Sequence, residues 1–267
     1  MLREVMQKFF QLKEATVWRG ERKVLDRFAV ELRVGESVAI LGPNGSGKST
    51  LMQLITGDLS VAYSPQRVCR LFGEDHWSLE ELRHRIGYVT PEQGRHFDGE
   101  EKAYDVVLSA LRGAYGRTRE MKFSAKEKIA AAAAMKITGV DGLADRSIHS
   151  LSSGEQRRLL IARAMVHQPE VLVMDEPTSG LDFAGSQKLI QSLRKAMTQG
   201  STVVLVTHHP EEIPPEMERV ILLKEGQILA DGKKRKVLNT ANLTCLYDTA
   251  VHVHWRDGWC HARVKDL

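Results

Sequence analysis

The sequence contains few cysteines, few aromatic residues and no long apolar run. Its three cysteines, Cys69, Cys245 and Cys260, are odd in number and lack CxxC spacing, so they indicate neither a disulfide framework nor a zinc site. No apolar run approaches the roughly 20 residues needed to cross a bilayer, and the N-terminus lacks the apolar segment of a signal peptide. We therefore expect a reducing, cytoplasmic environment. If the protein works at a membrane, we expect another chain to cross it.

A strong excess of either charge is also missing. Lys and Arg number 38 against 34 Asp and Glu, and the formal net charge of +4 by itself implies no nucleic-acid partner. With 27% charged and 42% hydrophobic residues, the composition is that of an ordinary globular protein. The length of 267 residues accommodates one large domain or two small ones.

The most informative stretch is a glycine-rich loop at residues 42–50. It follows the apolar run 37–41, which predicts a buried strand, and precedes residues 51–55, whose apolar spacing predicts a helix. The pattern G-x-x-x-x-G-K-S between strand and helix is that of a phosphate-binding P-loop. The predicted loop consists of Gly42, Pro43, Asn44, Gly45, Ser46, Gly47, Lys48, Ser49 and Thr50.

The residue types of this loop suit a triphosphate. Gly45 and Gly47 let the backbone approach closely, so that N–H groups and the positive end of the following helix face the phosphates. Lys48 would reach the β- and γ-phosphates, and the Ser49 hydroxyl would coordinate Mg²⁺. The alternative is a glycine-rich turn that binds nothing, but both flanks are those that a P-loop requires.

A second predicted strand is followed directly by two acidic residues. After Glu170, the apolar run 171–174 predicts a buried strand, and Asp175 and Glu176 follow at its C-terminal end. Two carboxylates beside a triphosphate would be costly without a metal ion. Asp175 is therefore the predicted Mg²⁺ partner, and Glu176 the residue that orients or deprotonates the attacking water. The alternative is an acidic strand end that only caps a helix.

Residues 151–156, Leu-Ser-Ser-Gly-Glu-Gln, precede a predicted helix over residues 157–166. Ser152 and Glu155 have capping-box spacing, so this stretch is explained in part by a well-capped helix. Small residues at the positive end of a helix, here Ser152, Ser153 and Gly154, also suit an anion such as a γ-phosphate. Both interpretations can hold together.

Three single residues are weaker candidates. A lone histidine is more often structural, but His208 follows the predicted strand 201–207 and would donate a hydrogen bond to the γ-phosphate, because ligands of open α/β sheets bind at the carboxyl ends of the strands. Gln93 follows a short strand and would reach Mg²⁺ or the attacking water, unless it is an ordinary loop residue. Trp18 is placed to stack on an adenine, unless it is a half-buried strand residue.

The remaining segments predict structure more than chemistry. Residues 10–18 and 23–32 predict a β-hairpin, whereas residues 2–9 have helical spacing over too short a span. Helix formers over residues 103–115 and 124–137 predict a helical insertion. Its loop holds basic residues that we expect to be a solvated surface. These are Arg117, Arg119 and Lys122.

Two features stand near the C-terminal end. Residues 233–236 form a basic run that opens a helix, and we expect them to be a solvated face. Asp257-Gly258 is a type I′ turn signal within a predicted hairpin, residues 251–264. The predicted register sets His254 opposite His261, with His252 diagonal to His261, which permits a metal site although no carboxylate accompanies it.

In the order and type of these motifs, residues 10–240 resemble the nucleotide-binding ATPase of the ATP-binding cassette (ABC) superfamily. The resemblance implies an α/β P-loop NTPase fold with a mainly parallel core sheet, an antiparallel β subdomain and a helical insertion at about residues 95–155. The cassette would span residues 1–240, with residues 241–267 as a C-terminal β-hairpin extension. By this resemblance, residues 42–50 are the Walker A loop, 171–176 the Walker B strand, 151–156 the signature motif, 179–182 the D-loop ending in Asp182, and His208 the switch histidine.

The sequence departs from the family pattern at four positions. Ser153 replaces the usual glycine, and Glu155 replaces the common glutamine of the signature motif. Trp18 stands where the family more often has tyrosine, and Gln93 comes about two residues later than the pattern predicts. The last departure weakens the assignment of the glutamine loop.

The resemblance also implies a mechanism. Two cassettes pair head to tail, so that ATP on one Walker loop is covered by Ser152, Ser153 and Gly154 of the other. With one such loop and one signature, this chain would need a second cassette, and its cofactors would be ATP and Mg²⁺. We expect it to act at the cytoplasmic membrane face on separate membrane-spanning subunits. A solitary soluble cassette acting on ribosomes or nucleic acid, and a nucleotide-gated switch, stay open as alternatives, although the sequence carries no strong nucleic-acid signal.

Overall fold

The computed structural model describes residues 7–61, 66–90, 93–97 and 100–265. The chain divides into two compact units, the first formed by Met1–Leu82 with Thr202–Leu267 and the second by Arg83–Ser201. Residues 1–6, to which part of the short helical spacing belongs, lie outside the described residues. No helix in the described part of the chain is both long enough and apolar enough to cross a bilayer.

The first unit contains an antiparallel sheet with strand order β2-β1-β4. Its strands are β1 (Lys8–Arg19), β2 (Arg22–Arg33) and β4 (Val68–Leu71). Apolar residues alternate along β1 and β2, and the pairs Phe10 with Leu32 and Leu12 with Val30 are buried. The predicted β-hairpin is therefore confirmed, with each strand extending slightly beyond the predicted residues.

The first unit also contains the strands on which the P-loop is built. They lie in the order β7 (Thr202–Thr207), β3 (Val38–Leu41), β8 (Arg219–Lys224) and β9 (Gln227–Lys233). β3 runs parallel to both β7 and β8, whereas β9 is antiparallel to β8. All four residues of β3 are buried, as expected of a central parallel strand that is covered on both faces.

The described residues of this unit also form α-helices and a C-terminal hairpin. The helices are α1 (Lys48–Ile55), α2 (Leu79–Arg85), which begins at the end of the first unit, α7 (Lys234–Val237) and α8 (Thr240–Tyr247). The C-terminal hairpin consists of β10 (Val251–Arg256) and β11 (Trp259–Val264). Its predicted register is confirmed, because His254 lies opposite His261. Asp257 and Gly258 have φ of 49° and 80°, as a type I′ turn requires.

The expectation of a solvated basic run is wrong for Lys234. Its side chain is buried, and Nζ donates to the carbonyl oxygens of Ile213 (2.9 Å), Pro214 (2.9 Å) and Gly258 (3.1 Å). Burial lowers its pKa to about 8. The other three residues of the run are exposed, as expected. A cluster of basic residues in the sequence does not indicate which of them will be buried with its ammonium group hydrogen-bonded to carbonyl oxygens.

The described residues of the second unit include the parallel strands β5 (Ile86–Val89) and β6 (Val171–Asp175) and a set of α-helices. The helices are α3 (Ala103–Ala110), α4 (Ala125–Thr138), α5 (Ser153–Met165) and α6 (Phe183–Thr198). α3 is shorter than predicted, because the chain turns at Leu111 and Gly113 adopts φ of 63°. α5 begins before the predicted residue 157, because Ser152 caps it.

Candidate functional site

The glycine-rich loop lies between β3 and α1, where a phosphate loop is expected. A Cβ added at Gly42 would lie 2.2 Å from the carbonyl oxygen of Leu223 and 2.7 Å from Ser46 Oγ. Gly47 has φ of 105°, a conformation that favours glycine. The N–H of Gly226, in the turn between β8 and β9, donates to the Ser46 carbonyl (2.9 Å) and holds the loop from outside. The shape of the loop thus depends on glycine and on contacts with the β8–β9 hairpin.

The N-terminus of α1 is open to an anion. Its N-cap, Gly47, has no side chain to accept from the first N–H groups, and the first turn of α1 contains no acid. By contrast, α4, α5 and α6 are capped by Ser124, Ser152 and Asp182. Within the part of the chain that the structure describes, the buried Ser46 Oγ also has no hydrogen-bond partner. Phosphate oxygens are the acceptors that this helix end lacks.

Lys48 supplies the positive charge of the loop. Its side chain is only 5% exposed, and Nζ donates to the carbonyl oxygens of Gly42 (2.8 Å) and Pro43 (3.1 Å). The ammonium group is therefore held against the backbone of its own loop. A buried cation at the positive end of a helix is an arrangement suited to a multiply charged anion.

His208 and the P-loop leave the sheet at the same edge. In the parallel pairing of β3 with β7, Leu41 lies opposite Thr207, and the N–H of Gly42 donates to the Thr207 carbonyl (3.3 Å). Because both strands end there, the predicted phosphate loop and the predicted switch histidine begin side by side. The sheet pairing of the first unit thus brings these two predicted site segments together directly.

Trp18 lies near the end of β1, opposite Lys23 of β2. Its side chain is 53% exposed, and Lys23 Nζ lies 5.5 Å from the ring centroid. About half of the side chain is therefore accessible to a ligand. Its assignment to an adenine stays a prediction.

In the second unit, β5 and β6 bring their carboxyl ends to one edge. Val89 lies opposite Met174 at the ends of the two strands. The segment that leads to Gln93 and the segment that holds Asp175 and Glu176 therefore leave the sheet next to each other. Glu176 has φ of 43°, an uncommon left-handed conformation for a residue other than glycine. Gln93 opens a short 3₁₀ turn, and its buried Oε1 finds no hydrogen-bond partner among the described residues.

The predicted signature serine caps α5. Ser152 Oγ accepts from the N–H of Glu155 (3.3 Å), and the N–H of Ser152 donates to Glu155 Oε2 (2.8 Å). The Glu155 carboxylate also accepts from the Ser152 hydroxyl (2.9 Å), and the bonds from the Ser152 backbone and hydroxyl, the backbone one first, lower the pKa of Glu155 below its ordinary value. The predicted capping box is thus confirmed. The acid at this position, a departure from the family pattern, completes the cap, because its carboxylate accepts from the Ser152 backbone while its own N–H donates to Ser152 Oγ.

Asp182 caps α6, since its Oδ1 accepts from the N–H of Gly185 (2.6 Å). The segment that it opens lies beside the signature stretch, because a Cβ on Gly154 would lie 3.6 Å from the Cα of Gly185. The structure thus brings three pairs of predicted segments together, the P-loop with the start of the His208 segment, the ends of β5 and β6, and the signature stretch with the start of α6. The first unit holds Trp18, residues 42–50 and His208, and the second holds Gln93, Ser152, Ser153, Gly154, Asp175, Glu176 and Asp182.

The histidines of the C-terminal hairpin approach each other without forming a metal site. The rings of His254 and His261 stack at 4.9 Å. Among the described residues, however, no group of three His, Cys, Asp or Glu side chains could hold a metal ion. The proximity of the other histidines and of Arg263 adds to desolvation in lowering the pKa of His254.

Tyr247 is a neighbour of the site that the sequence did not indicate. Its hydroxyl donates to the carbonyl oxygen of His208 (2.9 Å). The two residues are 39 positions apart, and no local pattern links them. Only the position of α8 in the first unit creates this contact.

A loop of this geometry between a buried parallel strand and a helix, in a chain that carries paired acids at the end of a second strand, defines a P-loop nucleotide-binding protein of the α/β class. The profile of the ABC transporter family matches residues 25–179. The chain belongs to this family, whose members bind ATP.

Individual proteins support the same assignment. The chain is similar to the hemin import ATP-binding protein HmuV of Rhodococcus jostii (strain RHA1), with 34% identity over 89% of this chain and 79% of the relative. It is also similar to the structure of cbiO1 from Clostridium perfringens, described as part of the ABC transporter complex cbiONQ. That match has a TM-score of 0.76 and 27% identity, and covers 90% of this chain and 94% of the other.

A third match is the dimeric post-hydrolysis structure of the ATP-binding cassette MJ0796 bound to ADP and phosphate. Its TM-score is 0.68, with 28% identity over 85% of this chain and 99% of the other. The resemblance inferred from the motifs and the predicted fold class are thereby confirmed.

Proposed function

We propose that this chain is the ATP-hydrolysing subunit of a transporter whose membrane-spanning subunits are separate chains. The observation that carries the proposal is the open N-terminus of α1, with buried Lys48 beside it and the Ser46 hydroxyl, to which the described residues offer no hydrogen-bond partner. These groups would bind the phosphates of ATP. Membership of the ABC transporter family supports the link to transport, as does the similarity to HmuV, a hemin import ATP-binding protein, and to cbiO1, part of an ABC transporter complex.

The metal ion would be Mg²⁺. The proposed ligands are the Ser49 hydroxyl, the Asp175 carboxylate and the Gln93 amide oxygen, a set of hard oxygen donors that fits Mg²⁺ with the phosphates supplying further oxygens. The buried Gln93 Oε1, for which the described residues offer no partner, is consistent with such a role. Bound Mg²⁺ would neutralise charge on the β- and γ-phosphates.

Three residues would act on the substrate itself. Glu176 would orient or deprotonate the attacking water, and His208 would donate a hydrogen bond to the γ-phosphate. Trp18 would stack on the adenine with its exposed ring. The uncommon backbone conformation of Glu176 at the end of a buried strand supports a functional role for this residue.

The working unit would be a head-to-tail pair. Ser152, Ser153 and Gly154 of one copy would cover the γ-phosphate held by Lys48 of the other, with Asp182 at the same interface. The N-terminus of α5, with exposed Ser152 and Ser153, presents small groups that an anion can approach. The dimeric structure of MJ0796 supports pairing.

We also propose boundaries for the functional regions of the chain. Residues 1–240 would form the cassette, with a helical insertion at about residues 95–155, and residues 241–267 a C-terminal extension. The membrane chains would dock near Gln93 and the insertion, on the cytoplasmic side. Closing and opening of the pair would then be transmitted to them.

Trapping the closed pair tests this function. Glu176→Gln keeps the size of the side chain but removes the proposed base, so ATP should bind and persist. A pull-down with tagged Glu176→Gln in ATP should recover a second copy of the chain and membrane proteins, whereas Glu176→Gln combined with Lys48→Ala should recover neither. Recovery of ribosomes or DNA without any membrane chain would contradict the transport proposal.

A further inference from the structure

The segment that follows His208 is held by residues from the C-terminal end of the chain. It begins at the end of β7 and includes the 3₁₀ turn Pro210–Glu212. Three separate contacts reach it, at His208, at Glu211 and at residues 213–215. All of these residues belong to the first unit.

The first contact is made by α8. Tyr247, half-buried at the last position of this helix, donates its hydroxyl hydrogen to the carbonyl oxygen of His208 (2.9 Å). Burial, together with the nearby Glu211 carboxylate, raises the pKa of this phenol. The hydroxyl therefore stays protonated and available as a donor at neutral pH.

The second contact is made by the C-terminal hairpin. The N–H of Ala262 in β11 donates to Glu211 Oε1 (3.0 Å). Cys260, two residues earlier on the same strand, is fully buried and anchors β11. The carboxylate of Glu211 thus ties the 3₁₀ turn to the hairpin.

The third contact lies at the end of the segment. Lys234 Nζ bridges the carbonyl oxygens of Ile213, Pro214 and Gly258, so it binds the segment and the hairpin turn at once. Gly258 also packs on Pro215, since a Cβ at Gly258 would lie 3.0 Å from Pro215 Cβ. The hairpin turn is therefore fixed against the segment that His208 opens.

We propose that Tyr247 and Glu211 are positioning residues that hold His208 in place for the hydrolysis described above, and that the C-terminal hairpin is the support on which Glu211 rests. The inference depends on the proposed function. Tyr247 would act through the carbonyl of His208, which fixes the backbone from which the imidazole extends. Small displacements of a group that acts on the transition state slow the reaction without changing substrate binding.

Tyr247→Phe tests the proposal in the full-length chain, because it removes one hydroxyl and keeps the ring. We expect kcat for ATP to fall roughly threefold to tenfold, the value of one net hydrogen bond. KM and the affinity for ATP should stay unchanged, because the P-loop is held by Gly226 and not by Tyr247. Tyr104→Phe is the matched control, since its hydroxyl also donates to a carbonyl, that of Lys128 (3.2 Å), in the second unit. It should leave kcat unchanged.

Glu211 gives a second, independent pair of variants. Glu211→Ala removes the acceptor for the Ala262 N–H and should lower kcat, whereas Glu211→Gln keeps an acceptor oxygen and should restore most of it. Equal losses of kcat in Tyr247→Phe and Tyr104→Phe, or a failure of Glu211→Gln to restore activity that Glu211→Ala has lost, would overturn the proposal.

Amide hydrogen exchange separates this proposal from the proposed function. Tyr247→Phe should increase exchange at residues 208–213 and leave residues 42–50 unchanged, a result that requires no ATP turnover. If the unaltered chain hydrolyses no ATP, the proposed function fails whatever the exchange shows. If the unaltered chain is active and exchange at residues 208–213 is the same in Tyr247→Phe, the positioning role is rejected.

Discussion

Gly42 has no room for a side chain, because a Cβ at this position would lie only 2.2 Å from the carbonyl oxygen of Leu223. The close approach joins the start of the P-loop to β8, so the loop backbone is positioned before any ligand binds. Ser46, Gly47 and Lys48 then present a hydroxyl, an uncapped helix end and a buried ammonium group. At the scale of single residues, the candidate site thus consists of backbone groups held in a fixed conformation, with the Lys48 ammonium group supplying the positive charge.

Gly42→Ala should therefore disturb both stability and nucleotide binding. Backbone atoms cannot move aside as a flexible side chain can, so we expect the free energy of unfolding to fall by about 1–3 kcal/mol and ATP binding to weaken. Gly142→Ala is the control, because a Cβ there meets nothing within 4 Å. It should change stability by less than about 0.5 kcal/mol. Denaturant unfolding and ATP titration measure both effects, and equal behaviour of the two variants would contradict this account.

At the scale of elements, α4 and α5 begin in the same way. Each has a serine N-cap and a glutamate three residues later, and both reciprocal hydrogen bonds are present in each helix. Of these two helices, we propose a nucleotide contact only for α5. The two helices therefore allow the structural role of a capping serine to be separated from a functional one.

Ser124→Ala and Ser152→Ala remove equivalent caps, and each should lower the free energy of unfolding by about 1 kcal/mol. Only Ser152→Ala should also lower ATPase activity, because only Ser152 would lie at the γ-phosphate of the partner copy. Thermal unfolding and steady-state ATPase assays of the two variants provide the comparison. A similar loss of activity in Ser124→Ala would show that the cap alone, and not a nucleotide contact, accounts for the effect.

At the scale of the whole molecule, the proposed site requires two chains. Lys48 lies in the first unit and Ser152 in the second, and in a head-to-tail pair each ATP would contact Lys48 of one copy and Ser152 of the other. Both ATP sites of a pair would then be composite. Mixing two defective variants tests this directly.

Lys48→Ala and Ser152→Arg should each be inactive alone. In a mixed pair, one site combines both defects and the other combines an intact Lys48 with an intact Ser152. An equal mixture should therefore recover roughly a quarter of the unaltered activity, since half of the pairs are mixed and each carries one intact site. ATPase assays of the mixture measure the recovery, and a mixture as inactive as its components would rule out the shared site.

Local chemistry accounts for the features that were predicted correctly. The P-loop, the capping boxes of α4 and α5 and the register of the C-terminal hairpin depend on residues close together in the chain. Spacing alone therefore predicted them. The order of these motifs also led to the family, which the comparisons confirm.

Tertiary structure decided what depends on distant partners. α3 ends at Ala110, and Arg163 of α5 donates to the carbonyl oxygen of Ala114 in the turn that follows (2.6 Å), a contact across 49 positions. Lys234 is buried although its neighbours in the run are exposed, because three carbonyl oxygens from two other segments converge on it. Tyr247 reaches the His208 carbonyl across 39 positions. The sequence by itself thus determined the chemistry of each motif, whereas packing decided which buried polar groups meet, since burial requires partners that no local pattern specifies.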